Sequence, residues 1–135
     1  GKTMTTLFYA GLCVLLLLFL AWRVVQLRRL HKIGIGDGGN ADLLQRIRVH
    51  ANAVEYMPML FLLLGGMELN GYPQWLVHAF GAAIFVSRCA HAWGLSHRKG
   101  VSKGRMTGML VTFLLMLSMA LISIYGYLQA AFFAA

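Results

Sequence analysis

Four apolar stretches, each long enough to cross a bilayer, constrain this chain more than anything else in it. A helix that spans hydrocarbon needs about 20 mostly apolar residues. The sequence offers such spans at roughly 5–30, 42–69, 73–95 and 103–133. With 59% of residues hydrophobic and only 12% charged, there is too little polar surface to clothe a soluble domain. The links are short: Gly34-Ile35-Gly36-Asp37-Gly38-Gly39-Asn40 lies in the first, Asn70-Gly71-Tyr72-Pro73 forms the second, and 96–102 the third. Short links make successive helices antiparallel neighbours. The expectation is a single-domain, all-α integral membrane protein, an up-down bundle of four transmembrane helices. Asn40 or Asp42 is a plausible cap for the second span, and Pro58 inside it predicts a kink.

The formal net charge of +8 does not point to nucleic acid, because the basic residues gather at membrane borders. Arg28, Arg29, Lys32 and Arg46 flank the first link, and Arg98, Lys99, Lys103 and Arg105 flank the third; the second link and the C-terminus carry none. Links one and three are therefore expected in the cytoplasm and both termini on the opposite side. Lipid is the surrounding partner. Cys13 and Cys89 have no neighbouring Cys or His at metal-ligand spacing, so they read as small hydrophobes and no metal site is expected. Gly1-Lys2-Thr3 precede Met4 and read as additions ahead of a natural start. The first span lacks a small-residue cleavage site and reads as a retained helix. Gly34 to Gly39 matches a dinucleotide fingerprint as a string, but it follows a membrane helix with no βαβ unit and reads as a flexible linker.

Within the second span the chain reads Arg48-Val-His50-Ala-Asn52-Ala-Val-Glu55-Tyr56-Met-Pro58. Arg48, Asn52 and Glu55 stand at i, i+4 and i+7 and share a helix face; Gln45 extends it outward. Ionisable groups in hydrocarbon are costly and ask for partners. The bland reading is glue, with Arg48 paired to Glu55 and Asn52 bonded to another helix. The sharper reading is a ligand bearing both charges. On the third span, Arg88 and His91 stand at i, i+3, with Trp93 nearby. Arg88 lies deep and should pair with a carboxylate, for which Glu55 is the obvious candidate. The fourth span opens Lys103-Gly104-Arg105-Met-Thr-Gly108. Arg105 falls at the mouth of the bundle at the level of Arg48, where snorkelling to headgroups competes with a site role. Gly104 and Gly108 form a small-xxx-small pair for close helix contact. Glu68, His78 and His97 read as interfacial groups with no special role. The loop-one half thus offers cations, one carboxylate, an amide and a tyrosine, a set suited to a small zwitterion with more than one carboxylate.

Arg48-x-x-x-Asn52-x-x-Glu55-Tyr56-x-Pro58 resembles the second-helix signature of the membrane-associated proteins in eicosanoid and glutathione metabolism, the MAPEG family. The four-span layout and Arg88 extend the likeness over nearly the whole chain. The Gly-rich first link is most similar to a bacterial branch, which implies the inner membrane. The resemblance implies a homotrimer with glutathione, as co-substrate, bound between subunits. Arg48, Asn52, Glu55 and Tyr56 would hold its charged ends. His50 stands where some members reach into the neighbour's site, and Arg28 matches the first-helix arginine donated across the interface. Arg88 and His91 would complete the binding set. Arg105 would stabilise the thiolate, with Lys103 and Arg98 as rivals. One position departs from the pattern: where several members carry a tyrosine one turn beyond His91, this chain has Leu95, which removes a contact.

The activity so implied is glutathione transfer to a lipophilic electrophile, or glutathione-dependent reduction of a lipid hydroperoxide. The alternative is a non-catalytic lipid-binding or scaffold member of the same family, which Leu95 favours. A transporter or proton path on Glu55 and Arg88 ranks last, because four spans are few and no broken-helix pair appears.

Overall fold

The fold was analysed as a computed structural model that describes residues 3–97 and 102–133, with side chains for all of these except 95–97. Among the described residues there are four long α-helices: α1 (Thr5–His31), α2 (Ala41–Leu69), α3 (Gln74–His97) and α4 (Lys103–Leu128), the last running on into a π-helical turn over Gln129–Phe133. The bounds agree with the apolar spans to within two residues, the fourth span closing in the π turn. Arg98 and Lys99 lie outside the described residues, as do Gly1 and Lys2.

Local chemistry sets the ends. Asn40 caps α2, its side chain accepting from the Leu43 amide at 2.9 Å, as its extended backbone allows. Ser102 does the same for α4, accepting from the Arg105 amide at 3.2 Å. Lys32 closes α1 in the left-handed conformation, φ 55°. Pro58 sits inside a helix that continues past it to Leu69.

The helices divide into two kinds. α1 is apolar all round: it buries Thr6, Cys13 and Leu20 while Leu7, Phe8, Leu15, Leu18 and Phe19 face outward. α4 likewise turns Leu110, Phe113, Leu114, Leu117 and Leu121 outward. Large apolar side chains facing out from both helices suit hydrocarbon as the solvent. These two are also the helices that length and composition alone mark as able to cross a membrane. α2 supplies the inner wall instead, burying Val49, Ala53, Met57, Leu60, Leu64 and Met67 at three- and four-residue spacing. They meet Val77, Ile84 and Ala92 of α3 and Met119 of α4 in one core.

α3 and α4 approach most closely. A methyl group on Gly108 would lie 2.7 Å from the His91 Cβ and amide nitrogen, and one on Gly104 would lie 3.2 Å from the Ala90 carbonyl oxygen. The small-residue pair is therefore what brings α4 against the polar part of α3, as its spacing predicted.

Candidate functional site

The polar residues of α2, α3 and α4 converge on Arg88. This guanidinium is buried to 1% exposure, nine residues and so about 14 Å from the end of α3. Its Nη2 donates to the Asn52 side-chain oxygen of α2 and lies 3.5 Å from His91 Nδ1. Its Nη1 reaches Thr112 Oγ1 at 3.5 Å and the Met109 sulfur at 3.6 Å, both on α4. The Tyr56 ring centroid stands 5.9 Å away, within cation–π range. Arg88 Nε has no hydrogen-bond partner among the described residues. His91 is equally buried. Tyr56 is held edge-on against Phe113, with ring centroids 5.8 Å apart.

The expected Arg88–Glu55 pair is not what forms. Glu55 Oε1 instead meets Arg48 Nη2 at 3.3 Å, in a pair with half of each side chain exposed, 51% and 49%. The reason is azimuth. At 100° per residue, Arg48 and Glu55 differ by about 20° around the helix, whereas Asn52 is turned about 40–60° from both. That rotation aims the amide at α3 and leaves the charged pair on the outer flank. Asn52 therefore bonds across to another helix while Arg48 and Glu55 hold each other, which are the contacts of the glue reading.

Arg105 is half-buried and close enough to His91 for its charge to act on the ring. It stands four residues before Met109 on α4, as Arg48 stands four before Asn52 on α2, and these helices run the same way. Both arginines thus lie about 6 Å, one turn, nearer the loop-one end than Arg88. Two predicted residues do not join the cluster. Arg28 turns to its own loop, Nη1 donating to Gly36 O at 2.8 Å and Ile33 O at 3.3 Å. His50 is two residues from Arg48 and projects from the α2 flank about 160° away. The Leu95 side chain and Arg98 lie outside the described residues.

Three contributors escaped the sequence reading. Thr112 and Met109 complete the cradle of Arg88, and Thr112 is itself anchored to Gly108 O at 2.7 Å. A threonine one turn after Gly108 in an apolar helix was the available signal. The third is Glu68, at the opposite end. Its Oε2 accepts from the Thr5 amide and its Oε1 from the Thr6 amide, each at 2.8 Å, and Gln74 Nε2 donates to Oε2 at 3.0 Å. Met4 gives α1 no side-chain cap, so Glu68 caps α1 from a distant helix. His78 is also engaged, its Nδ1 lying 2.9 Å from the Tyr9 hydroxyl. Cys13 is buried as expected, but Cys89 is only partly so.

Comparison with known proteins identifies relatives of the chain. A family model described as the MAPEG family matches residues 6–125. The chain is 38% identical over 122 residues to the inner membrane protein YecN of Escherichia coli K12, covering 90% of this chain and 92% of that protein. The protein of the same name from E. coli O6:H1 (strain CFT073) matches with the same figures. The four-helix membrane bundle and the match over most of its length lead to one conclusion: this chain belongs to the MAPEG family.

Proposed function

We propose that the protein is a glutathione-dependent transferase or peroxidase acting on lipophilic electrophiles or lipid hydroperoxides, as a homotrimer in a bacterial inner membrane. The observation that carries this is the buried Arg88 guanidinium. It is cradled by neutral groups and its Nε has no partner among the described residues, while a half-exposed cation–anion pair straddles its level on the flank of α2. Glutathione has two carboxylates, one ammonium and a thiol. Arg48 suits a carboxylate and Glu55 the ammonium, each exchanging its partner on α2 for one on the ligand. Asn52 and Tyr56 line the path between that pair and Arg88, and His91 adds a ring nitrogen. Bound glutathione supplies the sulfur nucleophile. Arg105 at the mouth favours its thiolate by charge.

The homotrimer is supported by exposure. A half-exposed Arg48–Glu55 pair on a membrane helix is costly in lipid, and a second copy would cover it. In such an assembly His50 and Arg28, both turned away from their own subunit's cluster, would serve the neighbouring site. Links one and three in the cytoplasm would open the site to cytosolic glutathione.

Titration calorimetry on the purified protein tests the binding set. Arg48→Ala and Glu55→Gln should each weaken glutathione binding by about tenfold or more, the scale of one charge-assisted contact. Arg105→Ala should retain binding and lose the thiolate absorbance. Unchanged affinity in both α2 variants would overturn the reading. The Arg48–Glu55 bond already closed within the subunit favours the scaffold alternative, which gains if Arg105→Ala changes nothing while lipid binding persists.

A further inference from the structure

At the loop-one end, α1 and α2 enclose a cleft of about 200 Å³ lined by Arg23, Leu27, Asp42, Gln45, Arg46 and Val49. It brings two guanidiniums, a carboxylate and an amide against two aliphatic side chains. Arg46 is drawn in by its Nη1, which donates to the Arg23 carbonyl oxygen at 2.8 Å and reaches Gln26 Oε1 at 3.5 Å. Both contacts use the same nitrogen, and the Nε–Nη2 edge of a guanidinium is a fork of the kind that grips phosphate. Arg23 is close enough for the two cations to repel each other, and an anion between them relieves that repulsion. Arg23, Asp42 and Gln45 also have contacts within the subunit, so a ligand here joins an existing polar network.

Arg23 has a second neighbourhood. It closes one end of a recess of about 240 Å³ between α1 and α3, whose other walls are Leu16, Phe19, Leu20, Cys89, Ala92 and Trp93. Trp93 is exposed, in the manner of aromatic residues at a membrane border. From Arg23 to Leu16 the recess follows α1 for about 10 Å toward the bundle's middle. One arginine therefore joins a charged cleft to an apolar track, the layout of an amphiphile rather than of a free ion.

We propose that the cleft and the recess together bind one membrane phospholipid with a zwitterionic phosphate–ammonium headgroup. The phosphate lies between Arg23 and Arg46, the ammonium on Asp42, and an acyl chain along Leu16, Phe19 and Leu20. The carboxylate sets the class, because Asp42 attracts an ammonium and repels a purely anionic headgroup. This site uses none of the residues assigned to glutathione.

Native mass spectrometry of the detergent-solubilised protein, titrated with phosphatidylethanolamine, phosphatidylglycerol or phosphoethanolamine alone, tests it. The wild type should retain phosphatidylethanolamine in preference to phosphatidylglycerol and should not retain the headgroup alone. Arg23→Gln, which leaves the carbonyl held by Arg46 in place, should lower phosphatidylethanolamine retention about tenfold, the loss of one charge-assisted contact. Asp42→Asn should remove the preference between the two lipids. Arg29→Gln, at an exposed position, should behave as the wild type. Equal retention by wild type and Arg23→Gln overturns the proposal, as does a wild-type preference for phosphatidylglycerol or tight binding of phosphoethanolamine alone. If Arg23→Gln does not assemble, the Asp42→Asn comparison decides alone: a preserved preference overturns the proposal.

Discussion

At the loop-two end of the bundle a carboxylate is held by neutral donors; at the loop-one end a guanidinium is held by neutral acceptors. The two ends look symmetric and are not. Glu68 receives three short hydrogen bonds, two of them from the amides at the start of α1, and both its oxygens are used. Arg88 donates to Asn52, makes longer contacts of 3.5–3.6 Å to Thr112, Met109 and His91, and keeps one buried nitrogen without a partner among the described residues. Beside it, Arg48 and Glu55 stand half out of the protein. The first end is satisfied within this chain. The second leaves a buried donor without a partner among the described residues and a charged pair half exposed, which is the difference on which the proposed function rests.

Four measurements of unfolding in detergent can break or sharpen that contrast. The largest effect is expected for Gly108→Ala. The added methyl would press on the Cβ and backbone of His91 and cost about 2–3 kcal/mol by overpacking, so a neutral result would mean that α3 and α4 are more loosely joined. Next comes Asn52→Leu, which takes away a strong acceptor from Arg88 and should cost about 2 kcal/mol. Added glutathione should restore part of it if Arg88 belongs to the ligand site, and the absence of any restoration would make the loop-one end purely structural. Glu68→Gln should cost about 1 kcal/mol, since an amide offers one acceptor oxygen where the two α1 amides now find two; Glu68→Asp would recover little if reach matters. The smallest effect is expected for Gly66→Ala. A methyl there meets nothing within 4 Å, beside a cavity of about 590 Å³, so helix propensity alone should stabilise by about 0.5–1 kcal/mol. A loss instead would show that another molecule packs into that cavity.

Much of the fold was legible because the bilayer simplifies the code. Apolar run lengths gave the helix bounds, and the start of α2 was legible as a cap at Asn40 or Asp42, between which the structure chooses Asn40. The stripe itself was legible as a face, since spacing converts directly to azimuth. The partner of Arg88 was not: Glu55 was chosen for its charge, and the rotation that favours Asn52 matters only once the position of α3 is known. Thr112 and Met109 were hidden for the same reason, being on a third helix whose registry against α3 is fixed by Gly104 and Gly108. Glu68 was read as idle because its partners stand 62 and 63 residues earlier, a separation that no local pattern reports.

That separation bears on how the molecule is made. When α1 emerges during synthesis, its first amides have no acceptor, and the carboxylate that will take them is still more than sixty residues away in the message. The first helix must therefore wait, with a loose outer end, until the hairpin with α2 is finished. Gln74 then tightens the clasp from the start of α3, so birth order and fastening order are reversed at this edge of the protein.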